Sequence, residues 1–255
     1  MNSHCLLSID DFDKCKYEKL AEKIYVGKNI VLSDYIYRYI KLEYLIDLLE
    51  TGNLYISNRK AFADQREVGK KLNKKNNFQL TPYPMEESDK FFYAEQARKI
   101  QESRNVCVSC WTYDNLLIND SGESIENYLM WKSYSNNNLI VRIKTRIEDL
   151  LFSMYDVKSV VVANDVYYKK ESIDYSVNDS IFSKTKYYRY EDEFRLCVLS
   201  TNSNICLPLN VERMLYEVTL SPFISKQYYE FIKDFMEKKY NFLVGKISKS
   251  EILEF

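Results

Sequence analysis

Two carboxylates spaced two apart, Glu191-x-Glu193, open an alternating apolar run, and an arginine, Arg38, sits between Tyr37 and Tyr39 far upstream. A carboxylate held in a cleft can stabilise a developing positive charge, and a second one can orient a nucleophile. A guanidinium offers a planar fork of donors that suits a diphosphate. An aromatic ring nearby, Trp111 or Tyr37, can stack on a flat ligand, and Ser57 and Ser109 add weak polar signals at strand ends. The same residues also have structural readings. Glu193 and Arg195 on one strand face can form a surface charge ladder, Arg38 can pair with Asp64 or Glu67, and Trp131 and Tyr134 at i, i+3 suit a core. An alternative chemistry uses Asp64-x-x-Glu67 with Glu191-x-Glu193 to hold Mg²⁺, as in a nuclease or phosphodiesterase.

Several chemistries are excluded. The chain has a single histidine, His4, near the start, which leaves no basis for a Ser-His-Asp or Cys-His apparatus. Cys107-x-x-Cys110 is half a zinc site with no second pair, on a predicted strand, so no metal is expected. There is no P-loop and no dinucleotide-binding glycine fingerprint.

The elements that must position these groups follow from periodicity. Ile36, Arg38 and Ile40 alternate with Tyr35, Tyr37 and Tyr39, a strand pattern. Leu42, Leu45, Ile46 and Leu49 then recur at helical spacing, and Gly52 supplies the stop. Further strands are predicted at 54–57, 105–110, 139–143, 157–168, 193–199, 215–220 and 242–247, with helices near 87–101 and 125–134. Ser221-Pro222 reads as the cap and first turn of another helix. Strands with a few interspersed helices predict an α+β fold, mixed or antiparallel central sheets with flanking helices.

The 255 residues hold only 5 Gly and 4 Pro, but 23 Tyr and 13 Phe, which predicts one large domain with polar-edged aromatic packing. Residues 1–30, with a weak helical pattern around 17–24, read as an N-terminal extension. Residues 31–255 read as one domain carrying a polar insertion at about 58–104. With 36 basic and 37 acidic residues the net charge is -1, so nothing global draws the chain to nucleic acid or an anionic membrane. The six scattered cysteines, the lack of a secretory pattern and the lack of a long apolar stretch predict a reduced, cytoplasmic protein without membrane contact.

The boxes Tyr37-Arg38-Tyr39, Phe62-Ala63-Asp64-Gln65-Arg66-Glu67, Met130-Trp131-Lys132-Ser133-Tyr134 and Tyr190-Glu191-Asp192-Glu193-Phe194-Arg195 resemble, in order, those of a bacterial and phage domain-of-unknown-function family. That family carries Tyr-x-Tyr, Phe-Asn-Asp-Pro-Phe-Glu, Met-Trp-x-x-Tyr and Tyr-Glu-x-Glu-Trp-Arg. The resemblance covers roughly residues 35–250, and Ala63 and Gln65 depart from its second box.

More distantly, the chain resembles ADP-ribosyltransferases. They too open on a polar group ending a strand, then a helix ending in Gly, and close on a Glu-x-Glu strand. This resemblance implies an ADP-ribosyltransferase-like fold with NAD as the substrate. It makes Glu193 and Glu191 the catalytic carboxylates, Glu193 beneath the ribose and Glu191 orienting the acceptor. Arg38, Tyr37, Tyr39, Ser109 and Trp111 become the NAD-binding residues. The acceptor would be a protein or nucleic acid, the setting an anti-phage or toxin effector, and a partner or inhibitor protein could accompany it. The chain lacks that family's His and Thr in the first segment, and Ser109 is not followed by Thr-Ser. A third expectation is a non-catalytic sensor or partner-binding module of a defence system, its tyrosines and polar insertion forming a recognition surface.

Overall fold

The computed structural model describes residues 4–6, 24–27, 30–58, 106–114, 126–135, 139–154, 161–169, 182–199 and 204–252. The first long strand is β3 (Tyr35–Lys41), preceded by β1 (His4–Leu6) and β2 (Ile24–Gly27). Helix α1 (Leu42–Thr51) follows directly, burying Leu45 and Leu48. It stops at Gly52, whose φ of 65° is the left-handed conformation that glycine adopts without a Cβ clash, and the Gly52 N–H donates to the Leu48 carbonyl. β4 (Asn53–Asn58) and β5 (Val106–Thr112) come next, then helix α2 (Tyr128–Ser135), β6 (Ile140–Arg146) and helix α3 (Ile147–Ser153). β7 (Val161–Asp165), β8 (Tyr167–Lys169), β9 (Ser183–Thr185), a 3₁₀ turn (Lys186–Glu191) and β10 (Glu193–Leu199) lead to β11 (Ile205–Pro208). The chain ends with α4 (Val211–Met214), β12 (Glu217–Leu220), α5 (Lys226–Lys239), a 3₁₀ turn (Asn241–Leu243) and β13 (Ile247–Lys249).

The strands form one mixed sheet in the order β1-β2-β7-β10-β5-β3-β6-β12-β13, with β4 joined to both β5 and β11. β2–β7 and β12–β13 are parallel and the other pairs of this sheet antiparallel, while β8 and β9 form a small parallel pair of their own. This mixed sheet with flanking helices is the α+β class expected from the sequence.

Alternation along each strand builds the main core. Ile36 and Ile40 of β3, Trp111 of β5, Phe194, Leu196 and Val198 of β10, and Ile143 of β6 are all buried in it, beneath Leu45 and Leu48 of α1. A second cluster on another surface holds Tyr39, Met130, Trp131 and Ile140. Trp131 is fully buried, and its ring nitrogen donates to Glu126 Oε2 at 2.8 Å, so the ring sits in the core without an orphaned N–H. Losing that ring would cost about 3–5 kcal/mol.

Several local expectations are corrected. The strand expected across 157–168 is broken at Val166, whose N–H turns aside to the Glu193 carbonyl at 2.8 Å. Ser221-Pro222 occupies a turn, with Ser221 Oγ accepting from the Phe223 N–H; Ser225 is the true cap of α5, accepting from the Tyr228 N–H at 3.2 Å. Residues 242–247 form a 3₁₀ turn and a bend about Gly245, at φ 75°, before β13 begins at Ile247. The residues expected to be an N-terminal extension contribute β1 and β2 to the sheet. Gly27 lies so close to Asn164 that an added Cβ would come within 1.9 Å of its Oδ1. The helix expected near 87–101, the Phe62–Glu67 box and most of the insertion at 58–104 lie outside the described residues.

Candidate functional site

β5 changes partners along one of its edges. Thr112 pairs with Tyr37 of β3, whereas Val108 and Cys107 pair with Ser57 and Asn58 of β4. Ser109, Cys110 and Trp111 between them have no register partner on that edge, although β10 pairs with all of β5 on the other. The sheet therefore splits into a seam where β3 and β4 part from β5. A small cavity, open to solvent, lies at this seam. β3 lines it with Tyr37, Arg38 and Tyr39, and β5 with Cys110, Trp111 and Thr112. Helix α2 adds Met130 and Tyr134, and the 3₁₀ turn and β10 add Glu191 and Glu193.

Six of the seven residues picked from the sequence thus meet at one cavity. The seventh, Ser109, stands behind it and accepts a hydrogen bond from the Trp111 ring nitrogen at 3.0 Å. The approach is from two sides. Tyr37, Thr112 and Glu193 are register partners and share one face, while alternation places Arg38, Trp111 and Phe194 on the main-core face. A continuous sheet would separate Arg38 from Glu193; at the seam both line the same small cavity.

Arg38 is half-buried, its guanidinium lying 5.7 Å from the Trp111 ring centroid. It has no hydrogen-bond or ion-pair partner among the described residues, and Asp64 and Glu67, its expected structural partners, lie outside them. Burial pulls its pKa below the ordinary value, against the opposing pull of Cys110 and Tyr134. A desolvated cation beside a cavity is a site for an anion.

Glu193 is not part of a surface ladder. Glu193 and Arg195 are 4% and 2% exposed, and Arg195 grips the carboxylate at both oxygens, Nε to Oε1 at 2.7 Å and the terminal nitrogen to Oε2 at 3.0 Å. Lys184 of β9 lies 3.5 Å from Glu193 and 2.6 Å from Glu191, tying the two carboxylates together. The Glu193 N–H donates to the Tyr168 hydroxyl at 2.9 Å. Burial alone would raise the Glu193 pKa, but Arg195, Lys184 and the Cys110 thiol together hold it below the usual value. An ion pair at 3 Å in an effective dielectric of 20 is worth roughly 5 kcal/mol, comparable with the several kcal/mol needed to desolvate each ion. The bidentate hydrogen bonds tip that balance towards the charged form. The thiol of Cys110 moves the other way, pushed up by burial and then by the Glu193 charge, and so is a poor nucleophile at neutral pH.

Two of the tyrosines expected to bind ligand also make contacts within the protein. Tyr39 donates its hydroxyl to Asp114 at 2.9 Å and meets the edge of Trp131 at 4.9 Å. Asp114 in turn accepts from Arg142 at 3.0 Å, and the Arg142 guanidinium covers the Tyr37 ring at 4.5 Å. Cys107 and Cys110 face opposite sides of β5, Cys107 in the core and Cys110 in the cavity, so they cannot share a metal. No group of three or more His, Cys, Asp or Glu able to hold a metal exists among the described residues.

No family model, curated protein or solved structure matches this chain. Among the described residues, no helix is long and apolar enough to cross a membrane.

Sequence reasoning missed Lys184, Arg195 and Tyr134 as members of the site. Arg195 is legible in hindsight, since a residue two along a strand from Glu193 must share its face. Tyr134 ends the Met130-Trp131 helix and follows Trp131 towards the same side. Lys184 carries no local signal.

Proposed function

We propose that the chain is an NAD-dependent ADP-ribosyltransferase-like enzyme acting on a macromolecular acceptor, in the manner of an anti-phage or toxin effector, with the seam receiving the nicotinamide ribose. The observation that carries this reading is the convergence of Arg38, Glu191 and Glu193 on one cavity at a split in the sheet. In such a reaction the bond from ribose C1′ to the nicotinamide nitrogen breaks and its electron pair leaves with the ring. The acceptor nucleophile bonds to C1′ and gives up its proton. Glu193, fixed in position by Arg195, is the carboxylate for the ribose and its growing positive charge. Glu191, paired with Lys184, is the group that receives the acceptor proton. Arg38 holds the diphosphate.

Calorimetric titration of NAD into the wild type and Arg38→Gln tests it. Loss of a charged hydrogen-bond partner worth about 1.5–3 kcal/mol weakens NAD binding roughly tenfold or more. Equal affinity for the two proteins contradicts the assignment.

A second reading, a non-catalytic binding module, is favoured by the engagement of both Glu193 oxygens with Arg195. It expects ADP-ribose and NAD to bind alike with no nicotinamide released. The magnesium-dependent reading has less support, because Glu191 and Glu193 are already answered by Lys184 and Arg195.

A further inference from the structure

Four aromatic side chains line the seam cavity, and three of them have their ring surfaces committed to the protein. Trp111 is 2% exposed and carries Arg38 over its face. Tyr37 lies beneath Arg142, and Tyr39 is 3% exposed with its hydroxyl on Asp114. Tyr134 is different. It is 41% exposed, lines the cavity, turns one side of its ring to Tyr39 at 6.3 Å and 26°, and has no hydrogen-bond partner for its hydroxyl among the described residues.

We infer that Tyr134 is the stacking surface for the flat ring of the ligand, with Arg38 taking the adjoining phosphate, so that the seam selects a ring–ribose–phosphate unit over a phosphate alone. This assignment rests on the seam being the ligand site of the proposed reaction, and it transfers to Tyr134 the stacking role that the sequence suggested for Trp111 or Tyr37.

Calorimetric titration of the full chain with nicotinamide mononucleotide, adenosine monophosphate and inorganic pyrophosphate separates the possibilities. Stacking of a ring on an aromatic side chain is worth about 1–3 kcal/mol, so Tyr134→Leu is expected to weaken a ring-bearing nucleotide roughly tenfold. Pyrophosphate affinity should stay unchanged in that variant, and Tyr134→Phe should retain nucleotide binding. Thermal unfolding of each variant shows whether it is folded. A measurement on the wild type needs no variant: saturating the protein's aromatic protons should transfer more signal to the nucleotide ring than to its ribose.

The two proposals fail separately. Adenosine monophosphate binding that depends on Tyr134, with no binding of the nicotinamide nucleotide, supports the stacking role and overturns the NAD reading. Nicotinamide mononucleotide binding that survives Tyr134→Leu overturns the stacking role and leaves the NAD reading standing. Equal weakening of nucleotide and pyrophosphate, or no nucleotide binding by the wild type, also overturns the stacking role.

Discussion

Replacing Arg195 by methionine removes the fork that holds Glu193 while keeping the stem of the side chain. Both partners are almost wholly buried, so the variant leaves a carboxylate in the interior with the Cys110 thiol and Lys184, the latter 3.5 Å away and already bound to Glu191 at 2.6 Å. Breaking a buried pair in this way costs about 3–5 kcal/mol, and for a chain of this size each kcal/mol lowers the melting temperature by about 2–4 °C. A fall of roughly 6–20 °C at pH 7 is therefore expected, nearer the lower end because Lys184 still compensates in part. The pH dependence carries the sharper sign. In the wild type the Glu193 pKa is depressed, so its stabilisation is present above the unfolded value and is lost as pH falls through the folded one. In Arg195→Met, burial outweighs the remaining attraction and lifts the folded pKa above the unfolded value, so that stability falls as pH rises between the two. The deficit relative to wild type should thus grow from pH 4 to pH 7. Glu193→Gln combined with Arg195→Met removes both charges and should recover most of the loss. Thermal unfolding followed by circular dichroism at the two pH values measures all of this. A deficit at pH 7 below about 1 kcal/mol, typical of an exposed pair, or one that does not shrink towards pH 4, would refute the reasoning.

Substitutions at three further positions test the frame around the seam. Asp114 has a positive φ of 53° and accepts from both Tyr39 and Arg142. Asp114→Ala should destabilise more than Asp114→Asn by at least about 1 kcal/mol in urea unfolding, because asparagine tolerates the left-handed backbone and keeps an acceptor. Ser225→Ala should cost about 1 kcal/mol through loss of the α5 cap, measured in the same assay. Gly52→Ala should cost about 1–2 kcal/mol from backbone conformation alone, since its Cβ would meet only the Leu209 carbonyl at 3.5 Å.

The parts of the fold that the sequence made readable are those whose periodicity answers to a single face. Tyr35–Lys41 alternates, Leu42–Thr51 repeats at helical spacing, and Gly52 stops the helix where its left-handed φ is needed. Helix α3 escaped notice because it runs on from β6 without a capping side chain or a stop residue before it. The cap of α5 was misplaced because two serines precede the helix and each accepts from a backbone N–H, but only the N–H that Ser225 meets, that of Tyr228, belongs to α5. Within the site, Arg38 and Glu193 could be picked by residue type. Their meeting could not, because pleat alternation sends them to opposite faces and only the change of β5 partners joins those faces. Lys184 was invisible for a related reason: it reaches Glu191 and Glu193 through the pairing of β9 with β8, a contact no local pattern encodes.

The most direct measurement is nicotinamide release from NAD by the purified chain, followed by chromatography for the wild type and Glu193→Gln, below the melting temperature of both. Release by the wild type and its loss in the folded variant is the expected result. Release that persists unchanged in Glu193→Gln, or a wild type that neither binds nor cleaves NAD, contradicts the account.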